Sequence, residues 1–172
     1  MAGGPEVPGV VGETGSADRP AAASAPVFCI VAVKSVGLAL PEQHPLVTLE
    51  EAEAPGAGRR SVSFRVGMTE GVALAHALAG TRAGRPLTHD LFSVVLVRFG
   101  VDVLAVRLVG RLGATYLAEL DLVGAAAQGR EVVPCRPSDG IVLALRRRVP
   151  APVLCDERLF DDGDVMPGAT FP

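Results

Sequence analysis

The clearest alternation of apolar and polar positions lies between Arg60 and Val66. Val62, Phe64 and Val66 fall on one face, and Ser61, Ser63 and Arg65 on the other. A period of two predicts a half-buried strand, ended by Gly67. Val27 to Leu40 is apolar and rich in Val and Ile, interrupted by Lys34 and Gly37, which predicts a long strand bent at Gly37. After a Pro41–Pro45 turn, Leu46 to Glu50 predicts another strand. Val101 to Val109 and Ala114 to Leu122 predict a hairpin across a Gly-rich turn. Its second strand shows Tyr116, Ala118, Leu120 and Leu122 on one side and Thr115, Glu119 and Asp121 on the other. Glu131 to Cys135 and Ala151 to Cys155 complete the strands.

Three segments change to helical spacing. Thr69 to Leu78 carries Val72, Leu74, Ala75 and Leu78 as a stripe, with Thr69 as N-cap, Glu70 in the first turn and Gly80 as the stop. Arg85 to Gly100 has Thr88 as N-cap, His89 at N1 and Asp90 at N2. Leu87 is positioned to staple onto Phe92, and Leu91, Val94, Val95 and Val97 are candidates for burial. Pro137-Ser138-Asp139 opens the third helix, which buries Ile141, Val142, Ala144 and Leu145. Its last turn, Arg146 to Arg148, reads as solvated cations at the negative end of the helix dipole. Hairpins mixed with isolated helices, without regular βαβ alternation, predict an α+β fold: one compact domain with a mixed or antiparallel sheet and three main helices.

Composition sets the boundaries. Residues 1–25 are Gly, Pro, Ala, Ser and scattered charge with no apolar period, so they read as a disordered tail rather than a secretory signal. The domain is expected over 26–165 and a frayed end over 166–172. No apolar run is long enough to cross a membrane, and a cytoplasmic location is expected. Cys29, Cys135 and Cys155 are odd in number and include no close CxxC pair. That argues against a disulfide framework or a thiolate zinc site, although two of them could still meet in space. The net charge is −3 and Lys34 is the sole lysine, which disfavours a passive polyanion binder but not an enzyme that meets phosphate locally. With one tyrosine and no tryptophan, base-stacking platforms are scarce.

Chemistry concentrates at two helix starts of similar construction, Arg85-Pro86-Leu87-Thr88-His89-Asp90 and Arg136-Pro137-Ser138-Asp139. Free N–H groups at helix N-termini bind anions, and Arg85 and Arg136 add bidentate phosphate contacts, with Thr88 and Ser138 beside them. Asp90, Asp139 and Glu70 are candidate hard-oxygen ligands for a divalent ion such as Mg or Mn, and His89 is a candidate proton-transfer group. Such a cleft would suit phosphodiester hydrolysis by metal-activated water. The same residues also serve as ordinary helix caps and ion pairs. A non-catalytic oligomeric or regulatory domain, or a binder of a small anion, therefore stands as the alternative. No organic cofactor is expected.

Arg85 to Leu91, Arg136 to Arg146, and the earlier Val66-Gly67-Met68-Thr69-Glu70 together resemble the bifunctional nuclease domain family in order and separation. The resemblance runs from Val27 to roughly Asp164. It implies an α+β domain, a homodimer or larger homo-oligomer, and DNase and RNase activity with nucleic acid as substrate and little sequence preference. The family's shared polar positions fall on Glu70, Arg85, Thr88, His89, Asp90, Arg136, Ser138 and Asp139. This chain departs from the family where Ser61 to Val66 replaces a Leu-Pro-Ile-Trp-Ile strand. It departs again where Gly71 and Gly140 stand in place of alanine.

Overall fold

A computed structural model describes residues 25–53, 58–124 and 129–161. The expected disordered tail and frayed C-terminus fall outside these, apart from Ala25. Seven strands form one sheet: β1 (Phe28–Gly37), β2 (Leu46–Glu51), β3 (Ser61–Arg65), β4 (Val101–Leu112), β5 (Thr115–Gly124), β6 (Arg130–Cys135) and β7 (Val153–Asp156). Their order is β3-β2-β1-β7-β4-β5-β6. Every neighbouring pair is antiparallel except β4 and β7, so the sheet is mixed. The helices are α1 (Met68–Leu78), α2 (Thr88–Arg98) and α3 (Pro137–Leu145), and a short 3-10 turn, Glu157–Phe160, follows β7. This is the expected α+β architecture.

The alternating positions do what their period requires. Val62 and Phe64 of β3, Val47 and Leu49 of β2, Val31 of β1 and Val153 of β7 join Leu74 of α1 and Ile141, Val142 and Ala144 of α3 in one core. Two bulges in β4, between Val103 and Ala105 and between Leu108 and Gly110, keep Val103, Val106 and Leu108 on that core face. Close backbone approach explains both family departures in the helices. A Cβ on Gly71 would stand 2.7 Å from the Pro45 ring, and one on Gly140 would stand 3.0 Å from Cys135 Sγ and Val106 Cγ1. Glycine lets α1 settle on the β1–β2 turn and α3 settle on β4.

Four expectations need correction. Of the α1 stripe only Leu74 is buried, with Gly71, Ala73 and Ala77 beside it, while Val72, Ala75 and Leu78 are exposed. Helix α2 does not bury its valines: Leu91, Val94, Val95 and Val97 are all exposed, Val97 by 66%. The helix touches the rest of the chain chiefly through α3 and β4, with Leu96 as its core contact. The Arg146–Arg148 turn is not simply solvated, because Arg146 is 6% exposed and paired with Asp90, and Arg147 pairs with Asp102. Glu119 and Asp121, on the polar side of β5, are also buried. Arg107 reaches both, at 2.7 and 3.0 Å, and Arg130 adds a second cation to Asp121. Buried acids persist only when paired in this way.

Candidate active site

Helix α2 begins one residue earlier than its capping residue suggested and α1 two, whereas α3 opens at Pro137 as expected. Gly67, Leu87 and Arg136 are the N-caps. Glu70, Asp90 and Asp139 therefore all occupy the third helical position, where an acid favours the positive end of the dipole and can fold back on the cap. Glu70 does fold back: a Cβ on Gly67 would meet its Oε2 at 2.3 Å, so glycine at the cap gives that carboxylate its place. Asp90 accepts the Leu87 N–H at 3.0 Å.

Tertiary packing brings α1, α2 and α3 together at one end of the core, and their first turns meet beside β5 and β6. His89 Nε2 lies 3.0 Å from Asp139 Oδ1. Arg136 Nε donates to Asp139 Oδ2 at 2.8 Å, and its Nη2 lies 3.3 Å from Asp139 Oδ1 and 3.2 Å from Glu70 Oε1. Glu70, His89, Arg136 and Asp139, expected at one site, are thus in one connected cluster. Asp90 is not part of it. Its side faces Arg146, whose Nε stands 2.9 Å from Asp90 Oδ1, with both side chains below 8% exposure. Arg85 is exposed and does not line the cleft beside the cluster, whereas Thr88 lines its wall. Ser138 is buried and borders a shallower groove on the opposite flank of Arg136, with Arg65, Thr115 and Tyr116.

The cleft has a volume of about 530 Å³. Its polar mouth is Glu70, His89, Arg136 and Asp139, and its apolar wall comes from Phe92, Leu120, Leu122 and Val133. The period of β5 already placed Leu120 and Leu122 on one face. Phe92 was read only as the staple partner of Leu87 and Val133 only as part of a strand, and their meeting in one wall depends on contacts distant in sequence.

The charges are coupled. Burial is the strongest single influence on Asp139 and pushes its carboxyl up. The hydrogen bonds from Arg136 and His89, with their charges, outweigh it and hold the group below the usual carboxylate range. The same contact with Asp139, followed by its charge, holds Arg136 protonated more firmly than usual. Cys135 lies on the cleft floor. Burial first, then the Asp139 charge, pushes its thiol up to about 12, so it is no thiolate nucleophile at neutral pH. Cys29 and Cys155 are direct cross-strand partners on β1 and β7 and are likewise free thiols. Among the described residues, no group of three or more His, Cys, Asp or Glu side chains is arranged to hold a metal ion. At this site the cation between Glu70 and Asp139 is a guanidinium.

An acid-held imidazole beside an exposed guanidinium can move protons next to a phosphate. The bifunctional nuclease domain matches residues 47–167. This chain belongs to the bifunctional nuclease domain family. It is similar to two proteins of Mycobacterium tuberculosis, uncharacterized protein MT1877 and uncharacterized protein Rv1829. Each is 33% identical over 121 residues, covering 69% of this chain and 68% of the relative. Membership makes this domain a nuclease, a hydrolase of phosphodiester bonds with nucleic acid as its substrate. Arg65, on the strand that departs from the family's usual sequence, pairs with Glu42 at 3.1 Å.

Proposed function

We propose that hydrolysis takes place at the His89–Asp139–Arg136 cluster, on both DNA and RNA and with little sequence preference. The observation that carries this reading is the convergence of His89, Asp139, Arg136 and Glu70 from three helix starts on one cleft. Asp139 engages Nε2 of His89, which leaves Nδ1 as the ring nitrogen that takes a proton from water or gives one to the leaving oxygen. Arg136 spends Nε and Nη2 on Asp139 and Glu70, leaving Nη1 for a phosphate oxygen. Glu70 holds Arg136 in place rather than touching substrate. The guanidinium and imidazole at the cleft mouth suit a phosphate, which is the same beside every base, and this supports weak sequence preference.

A divalent ion gathering Glu70, Asp90 and Asp139 would require Arg136 to leave two carboxylates and Asp90 to leave Arg146. The side chains as placed do not fit one, and no step here passes through a metal. The test is cleavage of DNA and of RNA by the purified protein, with and without divalent cation, beside Arg136→Gln. Cleavage that depends on Arg136 supports the site. Cleavage unchanged in Arg136→Gln contradicts it, and no cleavage under any condition favours a regulatory or anion-binding role.

The outward stripe of α2 supports a homodimer. Leu91, Val95 and Phe99 follow i, i+4, i+8 spacing and are 59%, 38% and 77% exposed, and such a face gains by pairing with its own copy. Light scattering should report more than one subunit, and a monomer mass contradicts this.

A further inference from the structure

We propose that the flank of α2 opposite the cleft carries a second, separate site for a phosphate group, built from Arg82, Ser93, Arg98 and Arg146. The helix repeat puts Thr88, His89 and Phe92 on the cleft side. Asp90, Ser93, Val94, Val97 and Arg98 fall on the other side, where they line a cavity of about 220 Å³ together with Arg82 and Arg146.

One buried polar atom on this cavity has no partner: Ser93 Oγ makes no hydrogen bond, not even the back-bond to the preceding turn that a mid-helix serine usually finds. Arg146 keeps Asp90 as its ion-pair partner, Nε to Oδ1 at 2.9 Å, and its side chain is 6% exposed. A buried hydroxyl is normally satisfied, so Ser93 calls for a partner that the chain does not supply. Arg146 is held in place, because its Nη1 donates to Thr81 O at 2.6 Å and so ties the α1–α2 loop, and Arg82 with it, to the end of α3.

Charge points to the class of ligand. Three guanidiniums face one carboxylate, an excess of two positive charges in a chain whose net charge is −3. Arg82 and Arg98 have no hydrogen bond or ion pair among the described residues and are exposed. A doubly charged tetrahedral anion matches that excess, accepts guanidinium forks from several sides and takes a hydroxyl donor as well. Free phosphate has this charge near neutral pH, and a phosphodiester of a polynucleotide backbone offers the same tetrahedral oxygens with one negative charge. The site does not depend on hydrolysis occurring in the cleft.

The experiment uses the full chain with Arg136→Gln, which removes the cleft's own exposed guanidinium, and titrates inorganic phosphate by calorimetry at fixed ionic strength. Saturable binding is expected, and adding Arg82→Gln with Arg98→Gln should weaken it about ten-fold or more, since hydrogen bonds to charged groups are the strong ones. Both arginines are exposed, so the fold should survive, and an unchanged thermal midpoint checks this. Undiminished binding after the double change overturns the proposal, as does loss of all phosphate binding with Arg136→Gln alone. A short single-stranded oligonucleotide separates the two sources. If backbone phosphate is bound, the double change lowers the slope of log affinity against log salt by about 0.7 for each phosphate that is no longer neutralised. If that slope holds while phosphate binding weakens, the site takes a free phosphate. Failure of the parent chain, with Arg136 in place, to cleave nucleic acid while phosphate binding is intact would count against the cleft alone.

Discussion

The helix starts of α2 and α3 are nearly the same in sequence and differ in what their acids do. Arg-Pro lies before the N-cap in α2 and forms the N-cap and first helical residue in α3, and Asp90 and Asp139 both occupy the third helical position. Asp90 is 7% exposed, caps Leu87 and faces a buried arginine from the far end of α3. Asp139 is 26% exposed and faces His89 and an arginine that is itself 67% exposed. Local rules place an acid at a helix start. The arginine that reaches it, and whether solvent follows, decides whether that acid pins the fold or works in a cleft. The leading arginines separate as well: Arg136 bridges two carboxylates, whereas Arg85 stands in solvent.

The sharpest way to break this comparison is to neutralise Asp139. Asp139→Asn should cut hydrolysis about 100- to 10,000-fold, the range for positioned acid–base catalysis, with little change in thermal midpoint. A large fall in midpoint with activity per folded molecule retained would make Asp139 another structural acid. The reciprocal change, Asp90→Ala, strands Arg146 without its carboxylate in a buried setting. Breaking such a pair costs about 3 kcal/mol, readable by chemical denaturation, and the rate per folded molecule should stay near that of the parent. A rate loss matching that of Asp139→Asn would place Asp90 in the site after all. The smallest effect is on acid stability. Asp139 titrates below its unfolded value of about 3.9, so its contacts stabilise the fold fully above that pH and lose their contribution as pH falls through the lower folded value. The stability gap between parent and Asp139→Asn should shrink below about pH 4, and a gap independent of pH contradicts the pairing.

Much of this was legible in the sequence because it is local. The period-two run of β3, the Tyr116–Leu122 face of β5 and the glycine stops at Gly80 and Gly100, both at positive φ, follow from residue type and spacing. The convergence of Glu70, His89 and Asp139 was also within reach, since helix starts packed at one end of a core bring their first turns together. What was not legible depends on pairings distant in sequence. Arg146 reads as a solvated helix end until Asp90, 56 positions earlier, is seen facing it. The valines of α2 read as core because their spacing fits one face. That face is left outward because α2 packs chiefly on α3 and β4. Glu119 and Asp121 alternate as surface residues would, yet Arg107 allows their burial.

The central claim is that His89 and Asp139 act as one unit in hydrolysis, and a double-mutant cycle on the rate of nucleic-acid cleavage tests it most directly. If Asp139 works by holding His89, then His89→Ala combined with Asp139→Asn should be no slower than the slower single variant, because groups acting as a unit fail together. Single-variant losses that multiply in the double variant would show two independent contributions, and the His89–Asp139 contact would then not be the basis of the chemistry.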